Sequence, residues 1–149
     1  HDAISYPITE IVTNVLEHSG AEKGLIFAQY YQTKKYLDIC IVDTGRGLSA
    51  SYKEEKGLEF SDEEAIEEAM NGHSTKKDKE RGYGLRTSKN IVCKALGGEF
   101  VFVSGSAVLV SDSKRERLAP LPGFNWQGVI VAYRIPKPSS PIDIYQFVE

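Results

Sequence analysis

Leu37 to Leu48 (L-D-I-C-I-V-D-T-G-R-G-L) restricts this chain more than any other stretch. An apolar run rich in β-branched residues (Ile39, Ile41, Val42) stops at the carboxylate of Asp43, and glycines follow at alternate positions, Gly45 and Gly47. The run predicts a buried strand, and Asp-Thr-Gly is the breaker that ends it. An ionised carboxylate only accepts hydrogen bonds, which suits the exocyclic amine of a base. Glycines let the backbone close on a ligand with no Cβ in between. Taken alone, the stretch is also an ordinary strand followed by a glycine turn. The choice depends on where the chain puts its other polar groups.

One such group lies upstream. Ser5-Tyr6-Pro7 is a helix start, with Ser5 as cap and proline in the first turn. Ile8, Ile11, Val12, Val15 and Leu16 then recur at helical spacing and mark one face as core. Glu10, Asn14 and His18 succeed one another at i+4 on roughly the opposite side, before Ser19-Gly20 ends the helix. A solvated polar face is the ordinary reading. Asparagine is nonetheless a poor mid-helix residue, because it competes for backbone hydrogen bonds, and Asn14 therefore points to a task.

Downstream, Leu25–Tyr31 predicts a strand that pairs as a hairpin with Tyr36–Val42 across Thr33-Lys34-Lys35. After Gly47 the chain is polar and charged. Within it, Ser61-Asp62-Glu63-Glu64 is a capping box that opens a short helix with Ala65, Ile66, Ala69 and Met70 on its apolar side. Asn71–Arg81 has no periodicity and reads as a solvated tip or a lid over a ligand. Gly82-Tyr83-Gly84 leads into a helix that buries Leu85, Ser88, Ile91, Val92, Ala95 and Leu96 and closes at Gly97-Gly98. Two short strands, Glu99–Val103 and Ala107–Val110, flank Ser104-Gly105-Ser106. Ser111–Gln127 reads as a polar loop, and Gly128–Ile135 as a last strand stopped by Pro136. The remaining tail is a linker and a docking strand, or simply the end of the chain. This order predicts a mixed sheet with helices on one face.

Composition removes several classes. At 149 residues the chain is one domain large enough for a core of its own. A net charge of −3 gives no general basic field for nucleic acid. No apolar run is long enough to span a membrane and no signal peptide opens the chain, so a cytoplasmic domain cut from a longer protein is expected. Cys40 and Cys93 read as small buried hydrophobes, and His1, His18 and His73 have no ligand spacing with them. Zinc is not expected, and the compartment is expected to be reducing.

The polar features share one explanation. Gly82-Tyr83-Gly84-Leu85 exposes backbone N–H groups at a helix N-terminus, where the dipole favours a phosphate. Asp43 can hold a base, and Asn14 offers an amide oxygen to Mg²⁺, which bridges substrate phosphates while keeping waters. Glu10, one turn earlier, can take a proton from a nucleophile. Together they describe a cleft for ATP and Mg²⁺.

The arrangement resembles the GHKL superfamily of ATP-binding domains, the histidine kinase-like ATPases of Bergerat fold, over nearly the whole chain. Glu10-Ile-Val-Thr-Asn14-Val-Leu-Glu-His18 is similar to the N box, Asp43-Thr-Gly45-Arg-Gly47 to the G1 box, and Arg81-Gly82-Tyr-Gly84-Leu85-Arg86 to the G2 box. Ala95-Leu-Gly-Gly-Glu99, and the strand from Gly128 to Ile135-Pro136, match the family's C-terminal half. The resemblance implies a two-layer α/β (α+β) sandwich over 1–138, with an ATP lid at about 49–81 between the G1 and G2 boxes, and 139–149 as a tail.

By the same resemblance, Asn14 would coordinate Mg²⁺, Asp43 would bind the adenine amine, and Gly45 and Gly47 would line the adenine pocket. Gly82, Gly84 and the Leu85 amide would contact phosphates, and Thr75 and Lys76, beside Ser74, would reach the γ-phosphate. Glu10 matches the general base of the ATPase and serine-kinase branches, while His18 would shape the pocket. The chain departs from the pattern in carrying Val129 where the family often has a base-binding threonine. It also lacks a helix with a phospho-acceptor histidine. Three functions are expected in order: the catalytic ATP-binding module of a signal-transduction kinase of the histidine or serine type, an ATPase driving conformational change, and a non-catalytic nucleotide-binding or interaction domain. The expected partners are ATP and a phospho-acceptor protein or neighbouring domain, with homodimerisation through regions outside this chain.

Overall fold

The computed structural model describes residues 24–72 and 84–137. The expected N-terminal helix, and with it Glu10, Asn14 and His18, lies outside the described residues, as do Ser74, Thr75, Lys76 and Gly82. The described elements are β1 (Gly24–Tyr31), β2 (Tyr36–Asp43), α1 (Gly47–Lys56), α2 (Asp62–Met70), α3 (Gly84–Asn90), β3 (Glu99–Gly105), β4 (Ala107–Ser111), β5 (Glu116–Pro120) and β6 (Trp126–Pro136). A π-helical turn, Ile91–Ala95, continues α3.

The strands form one sheet in the order β1-β2-β6-β3-β4-β5. Among the described residues every neighbouring pair is antiparallel, where the sequence predicted a mixed sheet. The reason is topological. Strands β2 and β3 are joined through helices and run parallel to each other, as a strand–helix–strand unit implies. Strand β6 returns between them and is antiparallel to both. The α/β two-layer sandwich is as expected.

Alternation along the strands decides which face meets the helices. Ile39 and Ile41 of β2, Val131, Tyr133 and Ile135 of β6, Phe100 and Phe102 of β3, and Leu109 of β4 fall on one face and are buried. Their register is continuous across the sheet: Ile41 stands opposite Val131, which stands opposite Phe102, which stands opposite Leu109. Ile66 and Met70 of α2 and Ile91, Val92 and Leu96 at the end of α3 complete this core. Cys93 is buried as expected, whereas Cys40 lies on the opposite face and is only half-buried.

Helix α2 starts where its cap predicts: Ser61 Oγ accepts from Glu64 N at 3.1 Å, and Ala65, Ile66, Ala69 and Met70 are buried. Two elements differ from expectation. Residues 47–56 form α1 rather than a polar loop, and the only buried residues of that helix are Ser51 and Tyr52. Leu48, packed against the core, and Tyr52 make a single i, i+4 pair, too short a run to read as an apolar period. Strand β5 lies inside the expected 111–127 loop, because an edge strand with mostly exposed side chains takes its structure from pairing with β4. The range 49–81 therefore begins with two packed helices, and its 73–81 portion lies outside the described residues.

Candidate functional site

Strand β2 delivers Asp43 to the end of the sheet on the helix-facing side, at the foot of α1. The residue is 2% exposed. Its Oδ1 accepts from Gly45 N at 2.9 Å, closing a local turn, and the Val129 backbone N–H also donates to the carboxylate. Burial pushes the Asp43 carboxyl above the usual carboxylate range, and the two backbone donors pull in the other direction without cancelling it. A carboxylate has about four acceptor positions, so two backbone donors leave capacity for an amine.

The backbone of β6 makes this site possible. Gly128 passes so close that a Cβ there would stand 2.3 Å from Asp43 O and 2.7 Å from Asp43 Oδ1, and its φ is +122°. No other residue fits at that crossing. Beside it, Trp126 donates its ring N–H to Asp43 O at 2.9 Å. The Asp43 main chain is thus clamped from β6 while its side chain is held from Gly45 and Val129. Valine at 129 keeps the backbone donor and has no hydroxyl to add to it.

Gly47 sits in the left-handed region at φ +77°, and a Cβ on it would meet Ser104 Oγ at 3.3 Å and Gly128 O at 3.4 Å. It is the position at which the chain turns from the loop after β2 into α1. Ser104, buried at the end of β3 where the β3–β6 register shifts, accepts from Leu48 N at 3.0 Å. Two more contacts fix this corner: Asp62 accepts from Ser49 Oγ at 2.7 Å and from Ser106 N at 2.9 Å, joining the starts of α1 and α2 to the β3–β4 turn.

The structure therefore brings together Asp43, Gly45 and Gly47. Gly84 and Leu85 stand at the start of α3, with Leu85 packed against the core and α3 against α2. Ser104 and Trp126 belong to the same corner and were missed in the sequence. Ser104 looked like part of a turn and Trp126 like part of a loop, and neither carries a motif. Among the described residues no cluster of three His, Cys, Asp or Glu side chains could hold a metal ion, and no helix is long and apolar enough to cross a membrane.

A buried acceptor-only carboxylate, with a glycine backbone cleared on either side, fits the amine edge of adenine. Comparison with protein families gives the same direction: the model for histidine kinase-, DNA gyrase B- and HSP90-like ATPases matches residues 2–120. The chain belongs to this ATPase family. Domains of the GHKL ATPase family bind ATP, generally with Mg²⁺, and this chain is an ATP-binding domain of that kind. The match runs through the Asp43 corner and α3 and ends at Pro120, the last residue of β5. Comparison with curated proteins gave no match.

Proposed function

We propose that this GHKL domain is the catalytic module of a signal-transduction kinase, using ATP and Mg²⁺ for histidine or serine phosphotransfer. The observation that carries the nucleotide half of the reading is the Asp43 carboxylate, buried and held by Gly45 and Val129 N–H groups beside a Gly128 backbone that no side chain obstructs. In this reading Asp43 accepts from the adenine amine, and Gly45 and Gly47 let the base lie against the backbone. Asn14 holds Mg²⁺, while Gly82, Gly84 and the Leu85 amide meet the phosphates, with Thr75 and Lys76 at the γ-phosphate. Glu10 takes the proton of the acceptor. Magnesium supplies charge neutralisation on the phosphates. The protein's task is then positioning, since phosphoryl transfer asks little covalent chemistry of its catalyst.

The kinase preference over a conformational ATPase rests on the E-x-x-x-N-x-x-x-H run of Glu10–His18 and the G-Y-G-L-R run of Gly82–Arg86, both similar to the histidine-kinase group. Phosphate labelled at the γ position tests it. The expected result is label on a partner protein or neighbouring domain, lost in Glu10→Ala while nucleotide binding stays close to that of the native chain. Label released only to water supports the ATPase reading. Binding without transfer or hydrolysis supports a nucleotide-sensing domain.

A further inference from the structure

Strand β6 meets the Asp43 corner through an irregularity that seats a side chain where a ladder partner would stand. The ladder between β2 and β6 runs in step from Tyr36 opposite Pro136 to Val42 opposite Ile130. One residue further, the same register would set Asp43 opposite Val129, and there the pairing stops. The Val129 N–H donates to the Asp43 carboxylate, and Asp43 O accepts from the Trp126 indole at 2.9 Å. On its other side β6 loses register at the same point. Ser104 stands opposite Val129 but Gly105 stands opposite Trp126, so Gln127 and Gly128 have no counterpart on β3. A bulge of this kind bends the strand and re-aims a side chain. Gly128, at φ +122°, is the residue that accommodates it.

We infer that Trp126 is a positioning residue of the base site, whose indole N–H holds the last peptide of β2 and thereby aims the Asp43 carboxylate at a purine 6-amine. That role rests on the reading of Asp43 as the acceptor of the adenine amine. The peptide is restrained in both directions. Gly128 limits its movement toward β6, since a Cβ there would already stand 2.3 Å from Asp43 O, and the indole bond limits its movement away. An indole carries one donor and no acceptor, so it fixes the carbonyl without offering the amine a rival partner.

The segment that delivers Trp126 is braced in turn. Leu121 N donates to Ser106 O at 2.7 Å, and Phe124 N to Leu121 O at 3.1 Å. Ser106 N donates to Asp62, which also accepts from Ser49 of α1. The half-buried indole therefore stands on a segment tied to the same corner it serves. Recognition groups need such support, because a small misplacement of a hydrogen-bonding group is costly. A tryptophan that only packed would weaken all nucleotides alike when altered. A positioning tryptophan sets the preference for the amine.

Trp126 is the chain's one tryptophan, so biosynthetic replacement of tryptophan alters this position alone. Benzothienylalanine keeps the ring shape and puts sulfur in place of the N–H, whereas 5-fluorotryptophan keeps the donor. The quantity to measure is the Kd for purine riboside triphosphate, which lacks the 6-amine, divided by the Kd for ATP, with Mg²⁺ and the full chain. The native ratio should be about ten to a hundred, and 5-fluorotryptophan should preserve it. Benzothienylalanine should lower it about threefold or more, with purine riboside triphosphate binding nearly unchanged. Trp126→Phe, its fold checked by urea denaturation, should do the same. A native ratio in both donor-free chains, or an equal fall with 5-fluorotryptophan, overturns the inference. Equal weakening of both nucleotides also overturns it, in favour of a structural role. Asp43→Asn separates this result from the reading beneath it. A ratio that Asp43→Asn leaves intact removes Asp43 as the amine acceptor and Trp126 with it. A ratio lost in Asp43→Asn but kept without the indole N–H removes Trp126 alone.

Discussion

At Asp43 and Gly128 the geometry leaves so little slack that single atoms decide the outcome. Because burial raises the Asp43 carboxyl above its unfolded value, charging it costs the folded state. Its contribution is therefore favourable below the unfolded pKa and is lost as pH rises through the folded one. The stability of Asp43→Asn relative to the native nucleotide-free domain should rise as pH climbs above the ordinary carboxylate range and through the raised folded pKa, as chemical denaturation at each pH would measure. A stability difference that shrinks over that range would contradict the assigned burial cost. Gly128→Ala should have the opposite effect on the fold. A Cβ at 2.3 Å from Asp43 O has nowhere to go, and at φ +122° it is strained as well. The expected loss is about 3 kcal/mol or more. Gly57→Ala is the matched control, left-handed at φ +66° with no atom within 4 Å of the new methyl. It should lose only about 1–2 kcal/mol.

At the scale of elements, the corner that carries Asp43 is held by contacts among segments distant in sequence. Asp62 links Ser49 of α1 and Ser106 of the β3–β4 turn, so it should couple the two helix starts energetically. A double-mutant cycle of Ser49→Ala and Asp62→Ala, read by urea denaturation, should give a coupling of about 1 kcal/mol. Purely additive losses would mean that the contact carries no energy. These links also explain what the sequence made legible. The cap at Ser61 and the apolar spacing of Ala65, Ile66, Ala69 and Met70 define α2 by themselves, and β2 declares itself by β-branched residues ending at Asp43. Helix α1 does not, because Leu48 and Tyr52 make one i, i+4 pair and no longer period. Strand β5 does not, because pairing rather than burial creates it. The glycines of the G1 stretch were visible, whereas Ser104 and Trp126 reach the site only through the β3–β6 register, which no local pattern encodes. Asp38 and Arg134, joined at 2.9 and 3.0 Å with the guanidinium 4.2 Å above the Tyr36 ring, are a similar case on the outer face.

For the molecule as a whole, one carboxylate governs a chain-wide property. ATP that binds only the folded state should stabilise the entire domain, by about 2.7 kcal/mol at a hundred times its dissociation constant. The base should matter as much as the phosphates. A carboxylate accepts from the amine of adenine and repels the carbonyl that guanine carries at the same place, because two acceptors face each other with no proton between them. The most direct measurement is a calorimetric titration of ATP and then GTP, each with Mg²⁺, into the full chain and into Asp43→Asn. The account predicts saturable ATP binding by the native chain, GTP binding weaker by about a factor of ten to a hundred, and loss of ATP binding of similar size in a folded Asp43→Asn. ATP and GTP binding alike, or Asp43→Asn holding ATP as tightly as the native chain does, would contradict it.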